Sequence, residues 1–201
     1  MRSLDASGVF WLGRPDPARL DRLLVSQRDT EPTHRPTGAT LGGRLPAGFY
    51  HGHRHRTIGS GEEDFAAAAR GLRGWAPQSG AGLLVHPAGA PVREGQDVVV
   101  VATLAGVTVT ACCRVVAVID EPDRSGFVYS TLPAHPEVGE ELFMVEREAD
   151  GKVVCRVSVF WRSRHPLVRA VNPVMRVVQR QTVKRYVRAV ETVVAAARGT
   201  G

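Results

Sequence analysis

The apolar positions of this chain follow two rhythms. From residue 82 to 162 apolar and polar side chains alternate with period two. This predicts strands at Leu83–His86, Asp97–Leu104, Val107–Ile119, Ser125–Leu132, Glu140–Glu148 and Val153–Arg162, with an earlier one at Phe49–Ile58. Gly106 and Asp150-Gly151 are hairpin turn signals, and Pro122-Asp123 marks another turn. Connections this short imply a mostly antiparallel meander. The second rhythm is helical. Val174, Val177, Val178, Tyr186, Val190, Val193, Val194 and Ala197 recur at spacings of three and four, and no Gly or Pro intervenes before Gly199. Asn172 suits the N-cap and Pro173 the first helical position. Shorter helices are expected at Pro17–Ser26, capped by Asp16, and at Gly61–Trp75, whose first turn carries Glu62, Glu63 and Asp64.

The fold class implied is α+β: a curved antiparallel sheet of about six to seven strands, short N-terminal helices, and one long C-terminal helix able to cross the sheet. Residues 1–15 show no periodicity and read as a loose leader, leaving 16–201 as a single domain. By analogy this element order is that of the helix-grip fold (Bet v 1-like or START-like), in which a cavity lies between sheet and helix.

Composition narrows the picture little. Hydrophobic residues make up 43% and charged residues 23% of 201, an ordinary globular balance. Met1 to Leu12 lacks the apolar core of a secretory signal. Cys112, Cys113 and Cys155 are an odd set without framework spacing, as in a reducing cytoplasm. The net charge is +6, and all but two of the 26 basic residues are arginine. Arg176, Arg180, Lys184 and Arg188 form a ladder on the last helix. Few aromatics accompany it and no nucleic-acid reading motif does, so no specific nucleic-acid partner is expected.

Four sets of residues carry candidate chemistry. Tyr129 and Thr131 share one strand face, with His135, Glu137, Glu140 and Glu141 close behind; a histidine beside carboxylates suits acid–base work, and the same residues suit a tight turn. Arg114 is a lone charge in a valine-rich strand. It needs a partner among Glu137, Glu140 and Glu141, or the carboxylate of a ligand. His51, His53 and His55 align on one strand face, but a straight strand spaces them too widely for a facial metal triad, and no metal is expected. The arginine ladder is the fourth. Phosphate-loop, nucleophile-elbow and zinc motifs are missing, so no cofactor is expected.

The segment Gly126-Phe127-Val128-Tyr129-Ser130-Thr131-Leu132, followed by His135-Pro136-Glu137 and Gly139-Glu140-Glu141, resembles the bacterial DUF1990 (UPF0548) family, itself of unknown function. Gly38-Ala39-Thr40, Leu45-Pro46-Ala47-Gly48, Gly59 to Gly61 with Phe65 and Trp75, Arg114-Val115-Val116, and Pro173, Gln179 and Tyr186 extend the resemblance.

Three functions remain open. The first is binding of an apolar or amphipathic small molecule in the cavity, lined by Arg114, Phe127, Tyr129, Thr131, Glu140, Phe160, Trp161 and Tyr186, with a polar or anionic end of the ligand met there. The second is a cyclase, dehydratase or hydrolase using Tyr129, His135 and Glu137. The third, a nucleic-acid or membrane-surface accessory role, rests on charge alone.

Overall fold

The computed structural model describes residues 8–42, 44–164 and 172–199, and side chains in the last helix from 177 onward. The elements run β1 (Phe10–Leu12), α1 (Pro17–Gln27), β2 (Tyr50–Ser60), α2 (Gly61–Arg73), α3 (Ala76–Gly80), β3 (Leu84–His86), β4 (Asp97–Leu104), β5 (Val107–Asp120), β6 (Arg124–Thr131), β7 (Glu137–Arg147), β8 (Lys152–Ser163) and α4 (Asn172–Arg198). The strands form one sheet in the order β2-β8-β7-β6-β5-β4-β3, with β1 added on β5, and each pairing is antiparallel. Hairpin register follows from the turns. Leu104 sits opposite Val107, so Asp97 falls opposite Arg114.

The long helix is continuous, with no break between Val178 and Val190. Val183, Tyr186, Val187, Val190 and Val194 are buried in the main core with Phe127, Phe143, Val145, Val157 and Trp161. Each fully buried valine is worth about 1.5–2 kcal/mol. The Asn172 cap is a side-chain feature and lies outside the described residues. α3 holds α4 close. A Cβ on Gly80 would lie 2.3 Å from that of Ala189, so only glycine permits this approach. The opposite face of the sheet carries α1, whose Leu20 packs on Val99, Val101, Cys112, Leu132 and Ala134.

Three sequence expectations shift. Phe10–Leu12, inside the stretch read as a leader, is a strand paired with Val107–Val109, and Trp11 is buried. Three residues are too few to show a period. The helix expected to reach Trp75 ends at Arg73, because Trp75 adopts a left-handed backbone (φ 61°) with its indole N–H donating to the Ala90 carbonyl at 2.8 Å. The seventh strand begins at Glu137, three residues early, which moves Glu137 from a loop into the sheet.

Candidate functional site

Period two decides which side chains meet beneath α4. On β7, Glu137, Gly139, Glu141, Phe143 and Val145 face the helix side. On β6, Phe127 and Tyr129 do, opposite Phe143 and Glu141. Cys113 and Val115 of β5 and Val159 and Trp161 of β8 continue the face. Toward Phe127 it is filled solid, since that ring stacks on Phe143 and meets Trp75 edge-on. Toward the start of α4 a cavity of about 170 Å³ remains. Its wall includes Val100, Ala111, Cys113, Tyr129, Thr131, Glu137, Glu141, Trp161, Gln179 and Tyr186.

The cavity is largely apolar but carries two buried carboxyls. Tyr129 Oη donates to Glu141 Oε2 at 2.6 Å, and Gln179 Nε2, from α4, donates to Glu137 Oε2 at 3.1 Å. The other oxygen of each, Glu137 Oε1 and Glu141 Oε1, is buried with no hydrogen-bond partner among the described residues. Burial pushes both carboxyls up to about 7. The bonds from Gln179 and Tyr129 oppose that rise, and the charge of Glu137 adds to it at Glu141. Desolvation likewise holds Tyr129, Tyr186 and Cys113 well above their ordinary values, so the thiol at the cavity wall stays protonated and is no nucleophile. The site thus offers acceptors, or acids half-ionised near neutrality, in an apolar setting.

His135 lines the same cavity. Its Nδ1 accepts the Glu137 backbone N–H at 2.9 Å, and desolvation lowers its pKa to about 4. It is therefore neutral at pH 7 and braces the turn into β7. The carboxyls, not the imidazole, titrate in the working range. Thr131 also borders the cavity, but its Oγ1 is engaged with Gly139 N at 3.0 Å. Gly139 is needed there, because a Cβ would fall 2.1 Å from the Phe160 carbonyl oxygen.

Two anticipated ligand contacts have their charged groups committed elsewhere. Glu140 borders the cavity, but its carboxylate, one residue out of phase with Glu141, is held on the far side of the sheet. It accepts from Gly38 N (2.6 Å), Thr40 N (2.8 Å), Thr40 Oγ1 (2.7 Å) and Ser130 Oγ (3.2 Å), and meets His34 Nε2 at 3.2 Å. It anchors the loop that follows α1. Arg114 pairs with Asp97, not with Glu137, Glu140 or Glu141. Its Nε and Nη2 reach the two Asp97 oxygens at 2.6 and 2.8 Å, and the guanidinium also donates to the carbonyls of Gln27, Arg28 and Thr30. The arginine closes the end of α1 and is not among the residues that line the cavity. Removing it strands a carboxylate and three carbonyls, so Arg114→Met should lower stability by about 2–3 kcal/mol in urea unfolding. An unchanged midpoint would refute this account of the residue.

Of the remaining site residues, Phe127 belongs to the solid core. Phe160 turns its ring to His34 and Phe49 on the far face, while Trp161 narrows the cavity and leans on Tyr50. The three histidines of β2 are exposed, with His53 and His55 3.4 Å apart, and among the described residues no group of metal-ligating side chains gathers. Sequence reasoning set Glu141 among the acid–base candidates but not among the cavity-lining residues, and passed over Gln179 and Cys113 as lining residues. Parity with Phe143 and Val145 was the available signal for Glu141.

Residues 33–189 match the family described as "Domain of unknown function (DUF1990)". The chain belongs to the DUF1990 family. A UPF0548 protein of Deinococcus radiodurans is 33% identical over 190 residues, covering 90% of this chain and 96% of the relative. Among solved structures, a hypothetical protein from Helicobacter pylori aligns with a TM-score of 0.55 at 8% identity, over 81% of this chain and 96% of that one. A norcoclaurine synthase point mutant from Thalictrum, in complex with a transition-state analogue, gives 0.53 at 13% identity, over 77% and 99%. A protein from Thermus thermophilus gives 0.52 at 18%, over 74% and 99%. At these identities the likeness is one of fold, and the fold of this DUF1990 member is the helix-grip fold. No helix among the described residues is long and apolar enough to cross a membrane.

Proposed function

We propose that this DUF1990 protein binds a small, largely apolar molecule between the sheet and α4, with a hydrogen-bond donor of the ligand directed at Glu137 and Glu141. The observation that carries the reading is the pair of buried carboxyl oxygens, without partners among the described residues, in an apolar cavity. Leaving a buried acceptor unsatisfied costs about 1–3 kcal/mol, a cost that a hydroxyl or amine on a ligand removes. The expectation of a ligand anion at Arg114 gives way here to a donor at the acids. The three cysteines are free and buried, which fits a cytoplasmic setting, and no specific nucleic acid is part of the proposal.

Native mass spectrometry of the purified protein should reveal a co-purified small molecule. Calorimetric titration with aliphatic alcohols, isoprenoid alcohols and phenolic polyketide-like aromatics should yield a binder. Tyr129→Phe frees Glu141 Oε2 but removes a single hydrogen bond, so it should change affinity only about fivefold, roughly 1 kcal/mol. A cavity that binds no member of the panel would defeat the proposal.

A second reading has one observation in its favour. The carboxyls of Glu137 and Glu141 titrate at about 7 beside a phenol, where a general acid or base is most effective. In that version the protein is a cyclase, dehydratase or hydrolase whose proton carriers are the two glutamates with Tyr129. Glu141→Gln would abolish turnover of a bound compound while sparing its binding, and His135→Ala would leave the pH profile near neutrality unmoved. A profile displaced by His135→Ala would return the role to the histidine.

A further inference from the structure

We propose that the groove between β2 and the first half of α4 is a second subsite, built to hold the carboxylate end of the ligand whose body lies in the cavity. This rests on the reading of the cavity as a binding site. The groove is a depression of about 510 Å³, and its wall shares Val159, Trp161 and Gln179 with the cavity. Residues 50, 52, 54 and 56 of β2 share the face toward α4, and position 52 is glycine, which lets Val159 pack directly on the β2 backbone, since a Cβ there would come within 2.8 Å of Val159 Cγ1.

The charges along this seam are unequal. At one end Arg56 pairs with Glu191 of α4 at 3.1 Å. Two residues nearer the cavity along β2, Arg54 lines the groove with Arg180 and Lys184 of α4, which stand one helical turn apart. All three line the groove, and none has a carboxylate partner among the described residues. An exposed cation on a convex helix face is ordinarily just solvated. Three cations converging from two elements across a depression raise the local potential and favour an oxyanion, which an arginine fork can grip through two parallel bonds. A molecule with a carboxylate at one end and a donor at the other would set its charge here, pass Gln179 and Trp161, and present the donor to Glu137 and Glu141. That is the chemistry of an ω-hydroxy fatty acid or a similar two-ended amphiphile.

The experiment is calorimetric titration of the full chain with ω-hydroxyoctanoate and with its methyl ester, which lacks the charge and adds one methyl group. The proteins are the wild type and the variant Arg54→Gln/Arg180→Gln/Lys184→Gln, whose three sites are exposed and need not disturb the core. The acid should bind roughly tenfold more tightly than the ester at low ionic strength. That advantage should shrink in high salt, where charges in contact with solvent are screened, and vanish in the triple variant, with ester affinity unchanged. Equal affinities of acid and ester in the wild type overturn the subsite but leave the cavity reading standing. A preference for the acid that survives the triple variant places the anion on other cations and overturns it as well. Failure of both compounds to bind the wild type removes the cavity reading and this inference together.

Discussion

Glu140→Ala should destabilise the protein by about 3–5 kcal/mol, the range for stripping a buried charge from its donors. Glu140 is fully buried and gathers five polar contacts: two backbone N–H groups, two hydroxyls and the ring of His34. Its removal leaves Gly38 N and Thr40 N without an acceptor. The loop from Thr33 to Thr40 is then tied to the sheet mainly through Thr33, whose N–H donates to the Thr131 carbonyl at 2.9 Å. The expected readings are a melting temperature lower by roughly ten degrees and faster cleavage within the Thr33–Thr40 loop by a broad-specificity protease such as proteinase K. Normal melting with intact protease resistance would show that the loop is held by something else.

The same carboxylate sets an acid limit. Burial would raise its pKa, but the bonds from His34, Thr40 and Gly38 outweigh burial and hold it below the ordinary value of 4.5. A group whose folded-state pKa is depressed contributes stability that is present above the unfolded value and lost as pH falls through the folded one. Wild type should therefore lose part of its stability below about pH 4.5, and Glu140→Gln, which carries no such proton linkage, should show a smaller loss over that window.

The legible parts of this molecule are those governed by period. The valine stripe of α4, the β-meander and the hairpin turns all repeat a local rule, and the sheet keeps it. Parity was also sufficient for the cavity. Phe143 and Val145 are plainly core, and counting back by twos along β7 reaches Glu141 and Glu137 while skipping Glu140. What concealed this was Pro133 and Pro136, which read as a tight turn and delayed the strand by three residues. The role of Glu140 was not legible, because its donors lie in the aperiodic stretch Thr33–Thr40, some hundred residues away.

Arg114 shows an argument correct in kind and misplaced in detail. A half-buried guanidinium does have its carboxylate. Register from the turn at Ala105-Gly106 puts Asp97 directly across from it, and that count was available in the sequence. The three α1 and loop carbonyls that share the guanidinium were not available, since they depend on how α1 docks on the sheet. The cationic groove was hidden for a similar reason. The ladder on α4 was visible, but nothing local tells that Arg180 and Lys184 line one groove with Arg54 while Glu191 closes onto Arg56.

Glu141→Gln should make the protein more stable, by an amount that grows from about pH 4.5 and is complete just above pH 7. Burial raises the Glu141 pKa to about 7, against 4.5 for an ordinary glutamate. A group with a raised folded-state pKa contributes stability that is complete below the unfolded value. That stability falls away as pH climbs through the folded value, because the unfolded chain ionises first and the folded one resists. The wild type therefore carries a penalty above pH 7 of up to about 3 kcal/mol from this side chain. The amide has the shape of the neutral acid, can still accept from Tyr129 Oη, and never ionises. Thermal melts of wild type and Glu141→Gln should coincide near pH 4 and separate by pH 8, the variant being the more stable, with Glu137→Gln behaving alike. A natural side chain that lowers stability at neutral pH in a well-packed region is what a binding or proton-transfer site leaves behind. Superimposable melts at pH 8 would mean that the cavity hydrates its carboxyls freely, and the case for a dry, donor-seeking site would fall with them.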